Sequence, residues 1–208
     1  MGKVKIEKKD VWIDMTPMSD VMVLLLTFFM LTSTFVKNEP VKVNTPGSVS
    51  EIKVPEKDVL TISVAKDGKV FMTIDNANDL ISIVDAMTGR FGVTLNGKQQ
   101  EALKKHSMLG VSVEKLPAYL SLPEDQMSEV IQKEGIPTDS IDEGGKKGMS
   151  EFQLWITEAL AVNEDMKIAI KADSDTPYKT VKKVMSELQD MNQNRYYLIT
   201  TLKKEEAE

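Results

Sequence analysis

Residues 15–36 read MTPMSDVMVLLLTFFMLTSTFV, and this stretch organises everything around it. It is 22 residues long with one charged side chain, Asp20, and Val21 to Val36 form 16 consecutive uncharged residues. A helix of that length covers about 33 Å at 1.5 Å per residue, enough for a hydrocarbon core of about 30 Å. Nothing else in the chain approaches it, so a single membrane span is expected here. The flanks give it a direction. Lys3, Lys5, Lys8 and Lys9 lie in the first ten residues, while the ten after Val36 carry only Lys37 and Lys42. Positive charge is retained on the cytoplasmic side, which puts residues 1–14 in the cytoplasm and residues 37–208 across the membrane. A cleaved signal peptide would need small residues at its cleavage site, and Leu31-Thr32-Ser33-Thr34-Phe35 supplies no such pattern.

Asp20 is the informative residue of the span. An ionised aspartate in hydrocarbon costs on the order of 2.5–3.5 kcal/mol on insertion scales, so it is tolerated only beside protein or water, or when protonated. Each of those situations suits a proton carrier. Thr16 precedes Asp20 by one turn, and Thr27 and Thr34 follow at steps of seven. Seven residues turn a helix by about 700°, roughly 20° short of two turns, so the three threonines and the acid form one polar stripe. Val21, Met22, Leu25, Phe28 and Phe29 fall on the other side. A polar seam on a lone helix implies partner helices facing it. Pro17 suits the first turn of a helix, and an aspartate close to such a start can also act as a cap. Spacing leaves both roles of Asp20 open.

Composition removes several other classes of function. The 208 residues hold 26 Lys+Arg against 32 Asp+Glu, for a net charge of −6. Residues 1–36 balance four lysines with four acids, so the acidity belongs to the soluble part. Nucleic acid is not the expected partner, because phosphate binding needs a basic face. The absence of cysteine and a single histidine, His106, exclude thiol nucleophiles, disulfides and multi-His centres. Gly144-Gly145-Lys146-Lys147-Gly148 lacks phosphate-loop spacing. No catalytic residue, metal ligand or cofactor is assigned, and an enzyme is not expected.

Two motifs carry a family resemblance. Ile13, Thr16, Pro17, Asp20, Leu25 and Leu26 stand in an I-x-x-T-P-x-x-D-x-x-x-x-L-L array. Ile168, Ile170, Ala172, Asp173, Pro177 and Tyr178 match a V-x-I-x-A-D-x-x-x-P-Y block. The chain resembles the ExbD/TolR family in both, and Leu60–Val64 with Asp67–Phe71 is similar to that family's first hairpin. The resemblance implies an energy-transducing subunit of the bacterial inner membrane, with Asp20 as the proton-carrying residue. The implied partners are a pentameric ExbB/TolQ-like multispan protein, a second copy of the chain, and a TonB-like periplasmic protein. The implied task is to use the proton motive force to power TonB-dependent transport across the outer membrane. The alternative is a tethered periplasmic protein that binds a ligand or peptidoglycan, with the span as a passive anchor.

The soluble part reads as a small α+β domain. Residues 37–58, with three prolines and mixed charge, are expected to be an extended linker. Residues 59–202 form the domain and residues 203–208 a charged tail. Val59–Ala65 and Val70–Ile74 read as a hairpin around a Lys66–Lys69 turn. Residues 75–165 depart from the family as a helical insertion, with helices near Asn78–Met87 (stopped by Gly89), Lys98–Ser107, Val113–Leu122, Glu124–Lys133 and Ser150–Val162. Thr138–Gly148 reads as a loop. A strand at Lys167–Ala172, a helix from Thr176 with Val181, Val184, Met185 and Leu188 inward, and a strand at Arg195–Leu202 complete the chain.

Overall fold

The computed structural model describes residues 15–33, 40–49, 55, 57–143 and 146–202. The chain divides into two compact units, Met1–Asn38 and Glu39–Glu208.

The first unit contains helix α1, Thr16–Thr32, whose N-cap is Met15. Its 17 residues span about 26 Å. Among the described residues no helix is long and apolar enough to cross a membrane. The expected span continued to Val36, and residues 34–36 lie outside the described ones, as do 1–14 and 203–208.

The second unit is built on a five-stranded sheet. Its strands are β2 (Val59–Val64), β3 (Val70–Ile74), β4 (Met108–Leu109), β7 (Lys167–Ala172) and β8 (Tyr196–Leu198), in the order β4-β3-β2-β7-β8. β2 pairs antiparallel with β3 and parallel with β7, and β8 runs parallel to β7. Alternation explains one face: Leu60, Ile62 and Val64 lie opposite Ile74, Met72 and Val70, and all six are at most 1% exposed. Ile168 and Ile170 extend the same apolar face from β7.

The hairpin turn requires a glycine. Gly68 has φ +85°, donates to the Ala65 carbonyl at 2.8 Å, and lies close enough to Thr180 that a Cβ would crowd it.

The helices follow from period and caps. Helix α2 (Ala77–Arg90) buries Leu80, Ile83, Val84 and Met87, and the Asn76 side chain caps it by accepting from the Asn78 N–H. It runs through Gly89 and stops where Gly92 takes φ +68°, one turn later than expected. Helix α3 (Gly97–Lys105), a 3₁₀ turn at Val113–Lys115, α4 (Leu116–Leu120) and α5 (Glu124–Lys133) follow. Helix α6 (Glu151–Val162) has a capping box between Ser150 and Gln153, buries Trp155 completely and packs on α2. Helix α7 (Tyr178–Asp190) follows β7 and buries Val184 and Leu188, with Val181 and Met185 half-buried.

Two expectations are corrected. Residues 75–165, expected to be a helical insertion, are not purely helical: β4 adds to the edge of β3, and β5 (Ser140–Glu143) pairs with β6 (Lys146–Ser150) where a loop was read. Backbone ladders form there without any apolar alternation, so no side-chain period marks these strands. The stretch read as an extended linker lies partly on the domain. Strand β1 (Gly47–Ser48) pairs parallel with β9 (Thr201–Leu202), and Val41 and Val43 belong to the buried core.

Candidate functional site

The first candidate is the acid of α1. With Met15 as N-cap and no side-chain cap, Asp20 stands five residues into the chain from that cap, beyond the first turn. It therefore does not cap α1. Pro17 occupies the first turn, where its missing N–H leaves no helix bond unmade. The large apolar side chains of α1 are 50–87% exposed, and Asp20 is exposed with them.

Thr27 lies about 10.5 Å along the axis from Asp20 and on the same side, by the seven-residue step. Its hydroxyl donates back to the carbonyls of Val23 and Leu24, both at 2.9 Å, so its proton is held by the helix. Thr16 begins the helix, while Thr34 lies outside the described residues.

The second candidate centres on Asp173, at the end of β7 in the A-D-x-x-x-P-Y block. Its Oδ1 accepts the Asp175 N–H at 3.0 Å, closing a local turn, and its Oδ2 accepts the Asn44 N–H at 2.9 Å. Ser174 N–H returns a bond to the Asn44 carbonyl at 2.8 Å. The two backbone donors, from Asp175 and then Asn44, hold the Asp173 carboxyl below the usual carboxylate range, with Lys66 adding to the effect. Thr176 donates to the Ala65 carbonyl, tying this turn to the end of β2. Tyr178 of the same motif is 74% exposed.

Residues 40–48 thus form a strap across the domain. Val41 and Val43 point inward while Lys42 and Asn44 point out. Further on, Thr201 donates from its N–H to the Pro46 carbonyl and from its hydroxyl to the Thr45 carbonyl. A groove of about 550 Å³ runs between the strap, the Ala65–Asp67 turn and Gln132 of α5. The sequence reading assigned no role to Val43–Pro46. The alternation of Val41 and Val43 was the available signal, hidden among prolines and charges.

A third cluster lines a cleft of about 620 Å³ between Thr138–Asp139, Met149–Ser150 and α7. Ser150 donates to Glu187 Oε2 at 2.7 Å, and burial pushes the Glu187 carboxyl above its ordinary value. Lys183 reaches Asp139 at 2.7 Å and holds that carboxyl low. Glu187 was not singled out in the sequence, because it falls among solvated acids and lysines.

An apolar helix bearing one acid beyond its first turn, in a chain whose second unit is a mixed α+β domain, defines a two-unit protein. The chain belongs to the ExbD/TolR family of biopolymer transport proteins: the family model described as "Biopolymer transport protein ExbD/TolR" matches residues 7–203. A similar protein is the biopolymer transport protein exbD2 of Vibrio cholerae serotype O1, 29% identical over 80 residues, which are 38% of this chain and 52% of that one. The chain spans about half the length of that curated relative. No solved structure matches.

Proposed function

We propose that the protein is an ion-driven energy-transducing subunit in which Asp20 takes up and releases protons. In this reading the uncharged run ending at Val36 spans the inner membrane with its N-terminus in the cytoplasm, and residues 40–202 work in the periplasm. Thr16, Thr27 and Thr34 line the face shared with Asp20, inside a ring of ExbB/TolQ-like helices that also receives a second copy of the chain. The work powers TonB-dependent transport through a TonB-like partner.

The observation that carries this reading is the position of Asp20: beyond the cap, on a helix whose apolar side chains are all turned outward. Such a helix needs lipid or partner helices around it, and an acid kept in that setting is a functional group by default. Moving one charge through the membrane field yields about 2.3 kcal/mol per 100 mV. That is comparable with the cost of placing the ionised acid in the membrane, so the gradient is large enough to switch it.

Family membership supports the transport role. The test is Asp20→Asn in cells or reconstituted complexes. Proton-dependent transport should be lost, and Asp20→Glu should retain part of it. Unchanged transport in Asp20→Asn ends the reading. Replacing residues 11–36 with an unrelated span separates it from the passive-anchor alternative, which predicts full activity.

A further inference from the structure

Gln132 lies in the last turn of α5, and its Nε2 donates to the Pro40 carbonyl at 2.9 Å. Lys69 of the hairpin turn donates to the Gln132 carbonyl at 3.0 Å and pairs with Asp67 at 2.6 Å. Next to α5, Gly135 lies against Lys69, and the Ile136 N–H donates to the Val70 carbonyl at 2.8 Å. The end of α5 is therefore fixed to the start of β3 by backbone and side chain alike. From that fixed point one amide reaches across to the first described residue of the strap.

The two ends of the strap are held by different parts of the domain. Pro46 and Ser48 are bonded to β9, and Asn44 to the end of β7. Pro40, the strap residue nearest α1 in the sequence, is held by α5. Among the described residues, a pull arriving along the chain from the N-terminal side meets the Pro40 bond before those of Asn44, Pro46 and Ser48. Opening from that end has to break the Gln132 bond before it reaches Val41, Val43 and Asn44.

We infer that α5 is a clamp on the strap: through Gln132 it holds Pro40 down, so that force arriving from the N-terminal side of the chain enters the domain at α5 and not at β9. This deepens the reading of an energy-transducing subunit and rests on it. Gln132 is a positioning residue, and its side chain is exposed, so substitutions there do not disturb the core.

The test is amide hydrogen exchange on the full chain in detergent micelles, followed at Asn44, Thr201 and the core amide of Ile170. Gln132→Ala should speed exchange at Asn44 about fivefold, the factor an ordinary neutral hydrogen bond contributes, and leave Thr201 and Ile170 unchanged. Gln132→Glu, which cannot donate at neutral pH, should do at least as much. Gln132→Lys, which can donate to the Pro40 carbonyl, should restore slow exchange. An unchanged Asn44 rate in both Ala and Glu variants overturns the clamp, as does equal acceleration at Ile170. Asp20→Asn in the same preparation should leave all three rates alone, so survival of transport in that variant sinks the energy-transducer reading without touching the exchange result.

Discussion

The backbone N–H of Asn44 donates to Asp173 Oδ2 at 2.9 Å across 129 positions of sequence. One carboxylate thereby serves two purposes: it closes its own turn through Asp175 and fastens a segment that precedes the whole domain. Asp173→Ala should free the strap while leaving the sheet intact. The amide of Asn44 should then exchange several-fold faster, with Ile62 unaffected. Slow exchange at Asn44 in the alanine variant would show that this bond does not hold the strap.

The same carboxylate predicts a pH dependence. Its folded-state value is lowered by the Asp175 and Asn44 donors, so its contribution is present above the ordinary carboxylate range and disappears as pH falls through the depressed value. Strap protection should therefore be flat from neutral pH to the usual carboxylate range and decline only in stronger acid. A titration of the Asn44 amide signal checks this. Loss of protection already near pH 6 would contradict it.

Glu187 has the opposite sign. Burial raises its folded value, so the folded state binds the proton more tightly, and stability falls as pH rises from the ordinary glutamate value to the raised one. Glu187→Gln keeps an acceptor for the Ser150 hydroxyl without the buried charge. The thermal midpoint of the variant should equal or exceed that of the parent at pH 7 and lose its slope through that interval. A large fall in the midpoint at pH 7 would mean that the charged form is needed.

Glu151 is 5% exposed and receives three donors: the Val113 N–H at 2.8 Å, the Ser112 hydroxyl at 3.0 Å and the Trp155 indole at 3.3 Å. Removing it in Glu151→Ala strands the buried Val113 N–H and indole donors. Each unsatisfied buried group costs roughly 1–3 kcal/mol, so the variant should be among the most destabilising single changes outside the apolar core. Denaturant unfolding measures it, and a change within ±0.5 kcal/mol would refute the account.

Gly110 passes so close to the Phe71 ring and Ile131 that a Cβ there would strike both. Gly110→Ala should lower stability by about 1–3 kcal/mol through overpacking, read in the same unfolding experiment. A neutral effect would mean that α5 can shift away from β3.

The elements whose side chains repeat with a clear period were legible in the sequence. The Val59–Ile74 hairpin, the Lys167–Ala172 strand and the α2, α5, α6 and α7 helices stand within a few residues of expectation. Asp20 was legible as well, because a charge inside a long apolar run is conspicuous by composition alone. What escaped is what depends on backbone pairing. The β5–β6 ladder and the two-residue strand β4 have no side-chain period to betray them, and Gln132 is one polar residue among several on a solvated helix face.

The amino-acid order alone determined an apolar helix with one acid, an acidic remainder free of thiol chemistry, and the alternation that makes the central sheet, since each of these is a property of neighbours in the chain. Only the tertiary structure decided that residues 40–48 lie on the domain, that Asp173 and Gln132 hold them, and that Glu187 is buried. Those facts are contacts between segments 37 to 129 positions apart, and no local spacing encodes which distant backbone group a lone side chain will meet.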